Sequence, residues 1–193
     1  MSLPLENARA VVTGAASGIG RAIAQELSAR GATVIACDVN EAGLAETQSM
    51  LGEGCSTFVC DVSDHAQVEA LAAYVSATMG GCDMLFANAG VIAAGRYTRI
   101  TAAEVDWILG VNVRGVWSTT SVFARMMEQQ PEGGRICFTG SEHSLGYQHA
   151  GAAVYTASKH AVLGLAEILR AEAPKKLHVS IFCPGLVGTA LGG

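Results

Sequence analysis

The eight residues Thr-Gly-Ala-Ala-Ser-Gly-Ile-Gly at 13–20 constrain this chain more than any other stretch. They join an apolar run at 9–13 to a segment with Ile19, Ile23 and Leu27 at helical spacing. Glycines at such a junction let the backbone turn sharply and come close to a pyrophosphate, and the free N–H groups opening the following helix attract its negative charge. A plain glycine-rich turn has the same composition, but strand, turn and helix in this order are the context a dinucleotide seat requires. The expected contacts are Gly14, Ser17, Gly18, Ile19 and Gly20.

A seat of this kind belongs in a parallel sheet, and the rest of the chain is patterned to supply one. Short β-branched or apolar runs at 9–13, 33–37, 56–60, 83–88, 135–139 and 177–183 alternate with amphipathic stretches, among them Val68, Leu71 and Val75, then Val105, Ile108, Leu109 and Val116. Thr101 with Glu104 predicts a capping box, Ile100 can staple onto Val105, and Asp64 with Gln67 marks a similar helix start. No internal repeat or Pro-rich linker interrupts this order. The expectation is one α/β domain over 1–193, with a doubly wound parallel sheet of six strands.

The second run ends in Cys37-Asp38, and the step from Gly20 to Asp38 is close to the roughly 20 residues at which an acidic group meets the adenosine ribose. A carboxylate there repels the extra phosphate of NADP by about 4 kcal/mol for unit charges about 4 Å apart at an effective dielectric near 20. No Lys or Arg lies within 15–17 or directly after Asp38, so the expected cofactor is NAD. Capping of the next turn is the plainer role for Asp38.

Composition excludes other classes. A formal charge of −5 and no basic stripe argue against a nucleic-acid partner. The six cysteines form no C-x-x-C pair and have no histidine at zinc-ligand spacing, so neither a metal centre nor a dithiol redox role is expected from them. With no signal-like segment and no uncharged apolar run of membrane-spanning length, the expected location is the cytoplasm.

Further on, VYTASKHAVLGL sets Tyr155 and Lys159 four residues apart, on one face of a helix. A phenol ionises near pH 10, so work as a base near neutrality needs about 4 kcal/mol of help. One ammonium about 5 Å away supplies around 3 kcal/mol at an effective dielectric near 20.

Taken together, these motifs resemble the short-chain dehydrogenase/reductase family across essentially the whole chain. The resemblance rests on TGAASGIG at 13–20, CDV at 60–62, NAG at 88–90, NVRG at 112–115, Ser141 after the fifth strand, Tyr155-x-x-x-Lys159, and PGLVGT at 184–189. It implies a Rossmann fold and roles for individual residues. Tyr155 would exchange a proton with the substrate oxygen, Lys159 would lower its pKa and hold the nicotinamide ribose, and Ser141 would hydrogen-bond the substrate oxygen.

By the same resemblance Asn112 would hold a water linking Lys159 to solvent, although such an amide can equally bond a neighbouring backbone group. Asp61 and Val62 would flank the adenine, and Asn88, Ala89 and Gly90 would line the cofactor channel. Pro184, Gly185, Val187 and Thr189 would face the nicotinamide, Val187 and Thr189 at its carboxamide. The family spaces its serine one residue closer to the tyrosine, where this chain has Glu142, so either Ser141 serves or another hydroxyl such as Ser144 does; Ser141 follows the strand directly. His143 and His149 are expected to be solvated loop residues without a catalytic role.

Members of the family usually continue past PGLVGT into a substrate lid and a seventh strand, so a longer protein or a truncation is expected, with the sixth strand an apolar edge. The implied activity is NAD-dependent interconversion of a secondary alcohol and a ketone, and the implied assembly a homo-oligomer through the helices at 101–127 and 153–173. A dinucleotide sensor or scaffold without catalysis is the other function weighed.

Overall fold

A computed structural model describes residues 5–146 and 149–188. Six parallel strands form one sheet in the order β3-β2-β1-β4-β5-β6. The strands are β1 (Arg9–Thr13), β2 (Thr33–Asp38), β3 (Ser56–Val59), β4 (Met84–Ala87), β5 (Gly134–Thr139) and β6 (Leu177–Phe182). Each falls within a residue or so of its expected bounds. The helices between them are α1 (Gly18–Ala29), α2 (Glu41–Gln48), α3 (His65–Met79), α4 (Ala102–Leu109), α5 (Val116–Gln129) and α6 (Ala153–Glu172).

Strands β1 and β2 read as unbroken apolar runs because both of their faces are covered. Ala10, Val12, Val34 and Ala36 point into a core shared with α1 and α2. The alternate residues Val11, Ile35 and Cys37 point into the larger core with Leu85, Phe123, Ile136 and Phe138. On that larger side β5 buries Ile136 and Phe138 completely, whereas Arg135 and Cys137 on its other face are only half-buried. All six cysteines are free thiols.

The capping box at Thr101 and Glu104 forms as its sequence predicts, and Asp64 accepts from the Ala66 N–H to start α3. The long helix expected over 101–127 is interrupted. Residues Gly110–Gly115 wind as a π-helical turn between α4 and α5. Such turns gather at functional sites, because the extra residue per turn re-aims a side chain inward; here that side chain is Asn112.

The chain reverses winding direction between β1 and β4, so the carboxyl ends of β1, β2, β4, β5 and β6 open onto one crevice, the position at which doubly wound sheets bind ligands.

Candidate active site

The glycine turn occupies the floor of this crevice. Gly14 has φ 68°, in the left-handed region, and a Cβ placed on it would stand 2.8 Å from the Ala89 Cα. A Cβ on Gly20 would stand 2.6 Å from the Asn88 amide nitrogen and closer still to the Gly14 carbonyl. Both positions therefore exclude a side chain. Ser17 opens α1 without a side-chain cap and no acidic residue lies in the first turn, so its leading N–H groups are left for an external acceptor.

Asp38 stands at the end of β2, where its carboxylate accepts from the Ala16 N–H at 3.1 Å and the Asn40 N–H at 2.9 Å. It thus borders the glycine turn and also caps its own. Arg21 reaches the Ala16 carbonyl, but its charge is engaged by Glu46 at 2.8 Å. Asp61 is half-buried and caps a local turn through the Ser63 N–H and hydroxyl, while Val62 is buried against the π-turn.

Asn88 does more than line a channel. Its amide donates to the Thr13 and Gly14 carbonyls, and its oxygen accepts from the Thr139 hydroxyl at 3.2 Å. The Thr13 hydroxyl in turn accepts from the Asn88 and Ala89 N–H groups. This lattice ties the ends of β1, β4 and β5 to the glycine turn. Ala89 and Gly90 follow at the crevice surface, half-buried, with Gly90 facing both Asn112 and Lys159.

Tyr155 and Lys159 are both buried on α6, at 9% and 3% exposure. The Lys159 ammonium lies 5.6 Å from the centroid of the phenol ring and donates to the Thr139 carbonyl at 2.9 Å. Burial brings the Lys159 pKa down to about 8, with neighbouring Cys183 pulling the other way. The Tyr155 phenol is pushed up by burial; the Ser141 hydroxyl, hydrogen-bonding toward it, opposes this, and Glu142 adds to the rise.

Burial is the largest influence on the phenol, and the Lys159 ammonium is aimed at the Thr139 carbonyl.

Ser144 makes structural bonds. Its buried hydroxyl donates to the Lys159 carbonyl at 2.8 Å and accepts from the Ser141 N–H, holding the loop to α6. The Ser141 hydroxyl is the one that faces Tyr155.

Asn112 is fully buried. Its oxygen accepts from the Val91 N–H at 2.8 Å, and its amide donates to the Val91 carbonyl and the Ser158 hydroxyl. Its side chain therefore clamps the segment after β4 onto α6.

One of the two loop histidines departs from expectation. His143 is not solvated: it is 6% exposed, its Nδ1 bonds the Thr156 hydroxyl at 2.7 Å, and its ring meets Tyr155 edge-on with centroids 5.3 Å apart. Burial and the neighbouring His149 hold its pKa below the ordinary histidine value. His149 itself is exposed and pairs with Glu142 at 3.1 Å.

Beyond β6, the Glu142 N–H donates to the Pro184 carbonyl, and Gly185 lies against the Glu142 carboxylate, closing one side of the crevice. Val187 is 41% exposed and, with Ile19, Ile23, Phe86 and Gly188, lines a cavity of about 590 Å³ beside α1. Thr189 lies outside the described residues. Thr13, Thr139, Thr156 and Ser158 hold the site together without any sequence signal, since hydroxyls that bond backbone and amide partners obey no spacing rule.

A six-stranded doubly wound sheet with a glycine-lined anion seat at its reversal point, and a buried Tyr–Lys pair across the crevice, defines a Rossmann-type dinucleotide-binding protein. The sequence profile of the short chain dehydrogenases matches residues 8–193, and the chain belongs to the short-chain dehydrogenase/reductase family of oxidoreductases.

It is 32% identical over 185 residues to the oxidoreductase UcpA of Salmonella typhimurium, covering 94% of this chain and 70% of that protein. A short chain dehydrogenase/reductase from Burkholderia phymatum, solved in complex with NAD, superposes with a TM-score of 0.95 at 37% identity, over 98% of this chain and 69% of that one. The 3-ketoacyl-(acyl-carrier-protein) reductase of Brucella melitensis, solved with NADH, gives 0.92 at 30% identity, over 97% and 79%. Among the described residues no helix is long and apolar enough to cross a membrane.

Proposed function

We propose that this chain carries out NAD-dependent interconversion of a secondary alcohol and a ketone. The observation that carries the reading is the convergence of Ser141, Tyr155 and Lys159 beside a glycine turn that excludes side chains. The residues fit a dinucleotide: uncapped amides at the start of α1 for the diphosphate, Asp38 for a ribose bearing free hydroxyls, and the 184–188 segment for the nicotinamide end.

When bound, the nicotinamide supplies or takes the hydride and, oxidised, adds a positive charge. Tyr155 gives the proton to the ketone oxygen in reduction and takes it back in oxidation, and burial keeps the phenol protonated, which suits the donating half-reaction. The Ser141 hydroxyl orients the same oxygen. Lys159, one helical turn on, contributes positive charge to the phenol and a donor to the ribose, while Asn112 acts as a positioning residue through Val91 and Ser158.

The same reading includes a homo-oligomer formed through the helices that expose Trp107, Trp117 and Ile168. An NAD-coupled screen of alcohols and ketones, followed by Tyr155→Phe on the substrate found, is the test. The expected loss is about a hundredfold to ten-thousandfold in rate, the usual size of a general acid–base contribution. An unchanged rate in the Phe variant refutes the proton transfer, and tight NADH binding with no turnover on any substrate points to the sensor instead.

A further inference from the structure

We propose that Glu142, His143 and His149 form a site for a borderline divalent cation, zinc above all, against the Tyr155 ring. Each of the three offers one ligand atom, and the three atoms lie within 4.8 Å of one another. Two imidazoles and a carboxylate are the set zinc takes when it keeps a fourth position open for water or substrate. Around a tetrahedral ion with bonds of about 2.1 Å, ligand atoms stand about 3.4 Å apart. Glu142 Oε1 and His149 Nε2 are already 3.1 Å apart, so only the third ligand has to close in, by at most about 1.4 Å.

A plain Glu–His ion pair accounts for two of the residues but not for the buried third. His143 is held by Thr156 through Nδ1, the outer partner that fixes the ring of a metal-binding histidine. Among the described residues its Nε2 makes no hydrogen bond. The ring is tilted against His149, with centroids 5.1 Å apart, so the two imidazoles share one edge of the crevice. Neither histidine was identifiable as a ligand from the sequence, because the set is assembled by a loop rather than by fixed spacing on one element.

Since His143 also meets Tyr155 edge-on, occupancy of the site will obstruct the approach of substrate to the phenol. That consequence rests on the proposed oxidoreductase chemistry; the binding itself does not.

Cobalt(II) is the probe, because its visible ligand-field bands report a tetrahedral site without any turnover. The full chain is expected to bind one equivalent, displaceable by zinc, without the near-ultraviolet charge transfer that thiolate ligands give. His149→Ala and Glu142→Gln should each weaken it at least tenfold, and His178→Ala, an exposed histidine on β6, should leave it unchanged. Sulfur-to-cobalt charge transfer, an affinity unmoved by both cluster substitutions, or no saturable binding up to millimolar metal each overturns the site. Zinc should inhibit turnover at the concentration at which it displaces cobalt. Binding as expected in a protein that turns nothing over leaves the metal site standing and sinks the oxidoreductase reading.

Discussion

Replacing Lys159 with Met tests whether this buried lysine destabilises the fold it sits in. The lysine is 3% exposed, and burial takes its pKa from 10.5 to about 8. At 1.36 kcal/mol per pH unit, keeping the ammonium in this site at pH 7 costs about 3 kcal/mol relative to the unfolded chain. The folded lysine releases its proton near pH 8 and the unfolded one near 10.5, so between those values the unfolded state binds more protons and stability rises with pH. Below pH 8 the whole cost is present.

Methionine removes this cost at every pH but leaves the Thr139 carbonyl without the donor now 2.9 Å away, a loss of about 1–3 kcal/mol. The variant should therefore be as stable as the parent at pH 7, or up to about 2 kcal/mol more stable. By about pH 10 the parent has recovered most of its deficit and becomes the more stable of the two. Urea unfolding of both proteins at the two pH values measures the difference directly, and common titrations of other groups cancel in it. A gap that does not change with pH, or a variant already much less stable at pH 7, refutes the argument. A charged group retained where it opposes folding is the physical mark of a functional site.

Three other substitutions probe the remainder of the crevice. Gly20→Ala drives a methyl group into the Gly14 carbonyl and should lower stability by about 1–3 kcal/mol and weaken NADH binding; unaltered fluorescence titration and thermal midpoint would falsify the close-approach reading. Asp38→Asn should narrow the preference for NAD over NADP, by up to about a thousandfold if the full Coulomb repulsion acts, and equal selectivity in parent and variant would remove Asp38 from cofactor choice. Ser141→Ala should reduce turnover and cost about 1 kcal/mol of stability through the lost cap on the His143 N–H, whereas Ser144→Ala should leave turnover chemistry in place and cost about 1–3 kcal/mol by orphaning the Ser141 N–H; the opposite pattern of turnover would exchange their roles.

The parts of the protein legible from sequence are those in which one residue type is required locally. Short apolar runs located all six strands, most plainly the inner β1 and β2, because a strand covered on both faces has few other compositions open to it. The glycine turn was legible because Gly14 and Gly20 have no space for a Cβ, and Tyr155 with Lys159 because a helix places residues four apart on one face.

What escaped depends on partners distant in the chain. A π-turn shifts the helical register by a single residue, too little to stand out among Val105, Ile108, Leu109 and Val116, so the turn that sets Asn112 against Val91 and Ser158 is not legible in the pattern. His143 reads as a solvated loop residue until Thr156, thirteen positions on, and the Tyr155 ring enclose it. The bonds that tie the Ser144 hydroxyl to the Lys159 carbonyl and the Ser141 N–H are likewise partners that spacing from the tyrosine cannot reveal. In each case the missing information is which polar group satisfies which, and that is determined only once strands and helices have brought their ends together at the crevice.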